Sequence, residues 1–315
     1  MKNRWKAAST SFWDYEYFMP KGRYKRFNVG NTRLIGSRDY DRLFFKMEID
    51  NPTKSFKDRG SVIEVQKAME YGYREIACAS TGNMAYSISH FAHELGMRTK
   101  VFIGTGANPA KVRDIISTKS ASIEKVNGDF NVAFRKAFEY SRKNNAFIAG
   151  DYGYRMEGQK TVAYEIIKEM QNIENIIIPV GNATLISGIF KALSELKEMR
   201  VIKKYPRLIC VQAEKCNPLV RAFNTGSRIR YRKPNTQADA IAVGLPLFGD
   251  LGIEAIKNTD GLAVSVSEKE MHAEMKNFRK ETGMTAEMAG VAGIAAYKRL
   301  MPNGITVAII SGGNS

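Results

Sequence analysis

Lys54 and Lys57 stand three positions apart in the segment NPTKSFKDRG (residues 51–60). Asn51 or Thr53 could cap a helix, and the proline between them suits a first turn, so the segment predicts a helix that begins nearby. A lysine in a first turn meets the positive end of the helix dipole, which disfavours its ammonium form. An amine pushed towards neutrality is what imine formation with an aldehyde requires. The same residues also fit a capped helix with a hydrated face, and the segment alone leaves both interpretations open.

Three other segments place glycine or hydroxyl residues directly after a predicted strand. They read ASTGN at 79–83, PVGNATLISG at 179–188 and ISGGNS at 310–315. In open α/β sheets, ligands bind beyond the carboxyl ends of strands, where helix N-termini present free N–H groups. The ASTGN turn by itself is equally well explained as a helix cap, but the three turns together suggest one anionic ligand bound from several sides.

Short β-branched runs alternate with longer amphipathic segments along the chain. Eight runs are predicted strands: 75–80, 100–104, 122–126, 146–150, 175–180, 207–212, 262–267 and 305–310. Strands that alternate with helices indicate parallel sheets with helices on both faces, so the predicted class is α/β. No repeat or long Pro/Gly linker marks a boundary, so two domains would be interleaved.

Composition excludes several classes of protein and leaves others open. The 315 residues are 44% hydrophobic, and no apolar run is long enough to span a bilayer. No signal peptide is evident, and three cysteines without a CxxC pair favour reduced thiols in the cytoplasm. The net charge of +16 would suit a small anionic substrate. The basic loop RIRYRKP (228–234) could bind a polyanion, but a solvated loop is the simpler interpretation.

Metal binding has little support in the sequence. His90 and His93 lie on one predicted helix face near Glu94, but a metal site needs a further convergent ligand. We therefore predict no metal site.

The lysine segment resembles the N-P-T-G-S-F-K-D-R-G signature of threonine synthases, within the fold-type II (tryptophan synthase beta-like) pyridoxal-phosphate enzymes. Lys54 replaces a glycine of that signature. Four other segments resemble family motifs in the same order: STGNMAYSISHFAHELGMRTKVFI, YRMEGQKTVAYEI, VGNATLISG and the final ISGGNS. The resemblance covers nearly the whole chain and implies pyridoxal 5'-phosphate as cofactor.

The resemblance also implies roles for individual residues. Lys57 would form the imine with the cofactor and then act as the base at the substrate Cα. Asn83 would hydrogen-bond the phenolic oxygen of the cofactor, and Ser311 its pyridine nitrogen. Ser80 and Thr81 would bind the substrate carboxylate, and Arg155 would bind a substrate phosphate. The cofactor phosphate would be bound by a loop of five residues: Gly181, Asn182, Ala183, Thr184 and Leu185.

The neutral hydroxyl of Ser311 restricts the reaction class that the resemblance implies. It leaves the pyridine nitrogen largely unprotonated, which favours chemistry at Cβ or Cγ over transamination. The leading expectation is a lyase that converts O-phospho-L-homoserine and water to L-threonine and phosphate.

Departures from the threonine synthase pattern keep other activities open. Ala149, Gly150 and Leu185 stand where polar phosphate ligands are expected, and Arg33 stands where the family has proline. The alternatives are a serine/threonine dehydratase and a β-replacement enzyme for an O-phosphoserine-like substrate. From another class, a basic nucleic-acid-binding protein on an inactive enzyme fold is opposed by the intact Lys57 and Asn83.

The family implies two three-layer α/β domains with mostly parallel sheets. By analogy we expect a large cofactor-binding domain from residues 1–57 and 141–315, and a small domain inserted at 58–140. Lys57 would lie at their junction, and domain closure over the substrate would exclude water. A cytoplasmic homodimer is a further expectation, with a small anionic amino acid as substrate and neither nucleic acid nor membrane as partner.

Overall fold

A computed structural model describes residue 5 and residues 11–80, 82–104, 109–128, 130–150 and 152–313, the side chains of residues 130 and 131 aside. The described chain forms two compact units. The large unit contains the segment up to Phe18, Gly30–Asp50 and the chain from Gln159 onwards, and the small unit contains Met19–Val29 and Asn51–Gly158. In these ranges no helix has the length and apolar character needed to cross a membrane.

Ten strands and eleven α-helices alternate along the described chain. The strands are β1 (Leu34–Gly36), β2 (Leu43–Lys46), β3 (Glu75–Ala79), β4 (Arg98–Ile103), β5 (Ala121–Lys125), β6 (Phe147–Ala149), β7 (Asn175–Pro179), β8 (Arg207–Ala213), β9 (Leu262–Val266) and β10 (Thr306–Ile309). The helices are α1 (Lys57–Glu70), α2 (Asn83–Glu94), α3 (Pro109–Ser117), α4 (Phe130–Asn144), α5 (Gly153–Gln159), α6 (Thr161–Glu169), α7 (Thr184–Glu198), α8 (Pro218–Thr225), α9 (Gly249–Asn258), α10 (Glu268–Thr282) and α11 (Met288–Leu300).

The large unit is built on a six-stranded sheet in the order β1-β2-β10-β7-β8-β9. Only β1 runs antiparallel to its neighbour, and the other pairs are parallel. All five residues of β7 are buried, as expected for a strand covered on both faces. Helix α11 is buried from Met288 to Tyr297 and shares a core with Ile177 of β7 and Ala308 of β10. This packing fixes the two central strands whose ends carry site residues.

The small unit is built on a four-stranded parallel sheet in the order β5-β4-β3-β6. Phe102 of β4 and Ala79 of β3 pack with Ala133 and Ala137 of α4 in its core. Helix α1, which begins at Lys57, is buried from Asp58 to Ala68. The first residue of that helix is therefore held by a rigid, fully packed element.

The α/β class and the mostly parallel sheets are confirmed. Each of the eight predicted strands is present, whereas β1 (LIG) and β2 (LFFK) were not predicted because neither contains a run of β-branched residues. The observed units differ from the expected domain limits of 58–140 for the small domain. Lys57 belongs to the small unit because it begins α1, and residues 141–158 belong there because β6 pairs with β3 and α5 packs on α1.

Candidate active site

The loop before Lys57 is held by a buried carboxylate. Asp58 Oδ2 accepts a hydrogen bond from the Thr53 backbone N–H at 2.7 Å, and Asp58 Oδ1 accepts one from the Thr53 hydroxyl at 2.5 Å. Burial raises the pKa of the Asp58 carboxyl, and the bonds from Thr53 oppose that shift. The expected capping of the helix by Asn51 or Thr53 is wrong, because the residue before α1 is Phe56, whose side chain makes no capping hydrogen bond.

Lys54 lies in this loop with a φ of +58°, in the left-handed region that favours glycine. Its side chain is exposed. The conformation explains why the related signature has glycine at this position. Lys54 therefore contributes a surface cation and carries backbone strain.

Lys57 is the first residue of α1 and is half-buried. Its backbone N–H donates to Ser55 Oγ at 3.3 Å, and its Nζ lies 4.8 Å from the centroid of the Phe56 ring. The ring face attracts an ammonium group, whereas the positive end of α1 repels it, so the two effects oppose each other. The Lys57 amine is therefore placed beside an aromatic ring at the start of a helix.

Helix α5 packs against the first turns of α1 through two glycines. A Cβ added to Gly158 would lie 1.9 Å from the carbonyl oxygen of Arg59, and one added to Gly60 would lie 2.5 Å from Cγ of Arg155. Backbones can approach this closely only where both positions lack a side chain. The Gly158 position in the EGQKT segment therefore sets the distance between α5 and the helix that carries Lys57.

Arg155 is fully buried in the small unit, and its guanidinium is bonded on three nitrogens. Nε donates to the carbonyl oxygen of Gly150 at 2.9 Å, Nη1 donates to Ser61 Oγ at 3.1 Å, and Nη2 pairs with Glu64 Oε2. The other carboxylate oxygen of Glu64 accepts the backbone N–H of Gly150 at 2.9 Å. Glu64 is itself fully buried. Sequence reasoning proposed Arg155 as a ligand for substrate phosphate and missed both of its partners on α1, although a glutamate within the apolar run VIEV was a signal for one.

The turn after β3 carries the residues expected to bind substrate carboxylate and cofactor oxygen. Ser80 is half-buried, and its Oγ accepts the backbone N–H of Gly82 at 3.3 Å. Asn83 is the first residue of α2, whose N-cap is Gly82. Thr81 lies outside the described residues. Because β3 and β6 are parallel neighbours, this turn and the Gly150 turn lie at the same edge of the small sheet.

In the large unit, the loop Gly181–Leu185 follows β7 and leads into α7. Ala183 precedes the helix with a φ of +65°, and within the described chain no side chain caps α7. Asn182 anchors the loop, because its carbonyl oxygen and its Oδ1 accept the backbone N–H groups of Phe248 at 3.0 Å and Leu247 at 3.3 Å. The N-terminus of a helix attracts anions, and the first turn of the 15-residue helix α7 has no acidic residue that would oppose this attraction.

Ser311 follows β10, the parallel neighbour of β7, so it lies at the same edge of the large sheet as the Gly181–Leu185 loop. It is 4% exposed. The next residue, Gly312, accepts the backbone N–H of Glu287 at 3.0 Å, and a Cβ on Gly290 would lie 2.5 Å from the Gly312 carbonyl oxygen. The start of α11 thus fixes the turn that carries the Ser311 hydroxyl.

Comparison with known proteins gives concordant results. The family model described as "Pyridoxal-phosphate dependent enzyme" matches residues 25–312. The chain is 32% identical over 307 residues to a threonine synthase of Methanocaldococcus jannaschii, and the match covers 93% of this chain and 76% of the relative. It is 33% identical over 297 residues to a threonine synthase of Bacillus sp., covering 90% and 82%. The solved structure of maize serine racemase is similar in fold, with a TM-score of 0.80, 21% identity and coverage of 90% and 88%.

Proposed function

Because the chain belongs to the family of pyridoxal-phosphate dependent enzymes, we propose that it is a lyase of the threonine synthase type. It would convert O-phospho-L-homoserine and water to L-threonine and phosphate, with phosphate leaving from Cγ and water adding at Cβ. The observation that carries this proposal is the 32% identity to a threonine synthase across 93% of the chain. The position of Lys57 at the start of a buried helix supports it.

The residues present fit pyridoxal phosphate, the cofactor of the family. When bound, this cofactor supplies an aldehyde that condenses with amines and a ring that withdraws electrons from the substrate. We propose that Lys57 would hold the cofactor through Nζ, and that the same amine would move the proton at the substrate Cα. The Thr53–Asp58 bonds hold the loop before Lys57, so the amine is positioned before substrate arrives.

For the cofactor phosphate, we propose the loop Gly181, Asn182, Ala183, Thr184 and Leu185. Ala183 has left-handed backbone angles at the start of α7, and a turn of this kind can form a concave group of N–H donors that suits a phosphate. Gly181 has little room for a side chain, since a Cβ there would lie 3.1 Å from the Ala240 carbonyl oxygen. A close main-chain approach to the phosphate is therefore compatible with this packing.

The remaining roles follow the positions at the strand ends. We propose that Asn83 binds the cofactor phenolic oxygen, that Ser311 binds its pyridine nitrogen, and that Ser80 and Thr81 bind the substrate carboxylate. Ser311 is buried and neutral, and a hydroxyl can accept or donate to the ring nitrogen without protonating it. We leave Arg155 out of the substrate ligands, because Gly150, Ser61 and Glu64 already bind its guanidinium.

A serine/threonine dehydratase is the second candidate, in which loss of the Cβ hydroxyl yields a 2-oxo acid and ammonia. One set of observations favours it: Ala149 and Gly150 offer no polar side chain at positions expected to bind a substrate phosphate, and Arg155 is fully buried. An unphosphorylated substrate requires none of these ligands.

A substrate panel decides between the two activities. The purified holoenzyme would receive O-phosphohomoserine, threonine, serine and O-phosphoserine, with released phosphate, 2-oxo acid and amino-acid product measured separately. The proposal predicts phosphate and threonine from O-phosphohomoserine at the highest kcat/KM. Formation of 2-oxo acid from threonine or serine at a higher kcat/KM would replace it with the dehydratase.

The lysine assignment has a matched control in the same loop. Borohydride reduction followed by peptide mass spectrometry should place the cofactor on Lys57, and Lys57→Ala should abolish turnover and visible absorbance. Lys54→Ala, three residues away and exposed, should retain both. Turnover by the Lys57→Ala variant, or a label on Lys54, would remove the assignment.

We further propose that the enzyme is a cytoplasmic homodimer. The three cysteines are free and buried, and burial raises the pKa of Cys78 to about 12, so these thiols resist reaction and need no oxidising compartment. Leu245 and Leu247 are 56% and 67% exposed in the large unit, which suits an apolar contact between copies. Sedimentation equilibrium would measure the oligomeric state, and a monomer at micromolar concentration would contradict the proposed homodimer.

A further inference from the structure

We infer that Glu64 and Arg155 are positioning residues for Lys57, and that Arg155 does not bind the substrate. This inference deepens the proposed function and rests on Lys57 being the cofactor lysine. The carboxylate and the guanidinium form one buried ion pair that connects the Gly150 turn to helix α1. We refer to these two side chains as the buried pair.

Four hydrogen bonds of the buried pair link helix α1, helix α5 and the Gly150 turn. From Glu64, one oxygen accepts the N–H of Gly150 at 2.9 Å and the other accepts Nη2 of Arg155. From Arg155, Nε reaches the Gly150 carbonyl oxygen at 2.9 Å and Nη1 reaches Ser61 Oγ at 3.1 Å. Both peptide groups of the Gly150 turn are therefore held by side chains that are 0% exposed. A charge without its partner at such a depth is strongly unfavourable, so the bonded arrangement is the stable one.

The same contacts fix the helix that carries Lys57. Ser61 and Glu64 lie one and two turns beyond Lys57 on α1, so the guanidinium is bonded to α1 at both turns. Gly158 and Gly60 close the distance between α1 and α5, which carries Arg155. Displacement of the buried pair therefore moves the start of α1 relative to the Gly150 turn. A misplacement of about 1 Å at a reacting group can lower a rate roughly a hundredfold.

Recognition of a phosphate by Arg155 would require this buried packing to open. A guanidinium binds phosphate through paired N–H donors, and here three of the five donors are bonded to Gly150, Ser61 and Glu64 while the side chain is 0% exposed. Glu64 also places a carboxylate where an anionic substrate group would have to approach. The substrate phosphate, or any other leaving group, is consequently recognised by other residues.

The test compares Arg155→Lys, Arg155→Gln and Glu64→Gln on the phosphorylated substrate and on threonine. A positioning role predicts that each variant lowers kcat on both substrates by the same factor, roughly tenfold or more, with little change in KM. Lysine cannot make the three guanidinium bonds, so Arg155→Lys should be impaired like Arg155→Gln. The pH midpoint of the cofactor's visible absorbance, measured without substrate, should shift in all three variants because Lys57 is displaced.

A second buried pair provides the control for loss of stability alone. Lys46 and Glu165 in the large unit are both 0% exposed and 2.9 Å apart. Glu165→Gln should lower the unfolding midpoint as Glu64→Gln does, and should leave kcat and the absorbance midpoint unchanged. The double variant Glu64→Leu/Arg155→Met, which removes both charges, should regain unfolding stability but stay slow.

Two results would overturn the inference. One is that Arg155→Gln raises only the KM for the phosphorylated substrate, while Arg155→Lys retains most activity. The other is an unchanged kcat and absorbance midpoint in folded Glu64→Gln. If the wild-type enzyme turns over none of the panel substrates, the proposed function fails by itself, and the substrate-free absorbance midpoint still tests the positioning role.

Discussion

Replacing Gly158 by alanine tests whether the contact between α5 and α1 positions the site. The added Cβ would lie 1.9 Å from the Arg59 carbonyl oxygen and 3.0 Å from the Cα of Gly60. The atoms in the way belong to the backbone of a helix that is buried from Asp58 to Ala68. They cannot rotate aside, so the two helices must move apart by about 1 Å to restore an ordinary contact.

The expected cost follows from this displacement. Overpacking a well-packed interior typically destabilises by about 1–3 kcal/mol, and a clash with backbone belongs at the upper end of that range. Alanine offsets a part, because it favours the helical state over glycine by roughly 0.5–1 kcal/mol. We therefore expect a net loss of about 2 kcal/mol in the free energy of unfolding. Bonds between α1 and the Gly150 turn should lengthen as well, so kcat should fall by about tenfold or more.

Gly153 provides the matched control in the same helix. A Cβ there would meet no atom within 4 Å, so Gly153→Ala should be neutral or slightly stabilising. Urea unfolding should be followed by circular dichroism, because the protein's two tryptophans, Trp5 and Trp13, both lie in the large unit and would not report on the small one. Equal unfolding free energies for Gly158→Ala and Gly153→Ala, within about 0.5 kcal/mol, would refute the reasoning.

Three further outcomes can be measured. Lys54→Gly should raise the free energy of unfolding by about 1 kcal/mol because it relieves a φ of +58°, and Lys119→Gly, at a φ of +60° far from the site, should raise it by a similar amount. A lower free energy of unfolding in both variants would contradict the claim that these lysines carry backbone strain. Burial would raise the pKa of Glu195, but attraction to Lys160 and further hydrogen bonds lower this pKa overall. The ionised Glu195 therefore stabilises the fold above pH 4.5, and this contribution is lost as the pH falls below that value. Glu195→Gln should flatten this part of the pH–stability curve, and an unchanged curve would exclude the ion pair as the source of the pH dependence. Ser267→Ala removes the capping box of α10 and should cost about 1 kcal/mol in thermal unfolding; an unchanged melting temperature would show that the cap contributes nothing.

The central strands were predictable because burial on both faces leaves a local signature. Runs such as NIIIP in β7 are β-branched and end in a turn residue, so the position of each strand and its assignment as a strand follow from the sequence alone. The short strand β1 carries no such run, and its pairing with β2 depends on the rest of the sheet. The start of α1 at Lys57 was also indicated locally, by proline and hydroxyl residues close before it.

The pairing of Arg155 with its partners could not be found in this way. Glu64 lies 91 residues away along the chain, and only the packing of α5 on α1 brings the two charges together. An arginine that binds a phosphate and one that neutralises a buried glutamate look the same in sequence. Likewise, the bond from Thr53 to Asp58 replaced an expected helix cap, because a buried carboxylate accepts both donors of Thr53 at once.

The position of β10 has a consequence for how the enzyme is made. This strand comes last among those described, yet it lies between β2 and β7 in the middle of the large sheet. A nascent chain cannot join these two strands until about 260 further residues after β2 have been synthesised, so the sheet closes late and through contacts of high sequence separation. Ser311 arrives with the same strand. The appearance of β10 therefore joins the two parts of the described sheet and supplies Ser311 at the same time, and a chain that lacks β10 has neither.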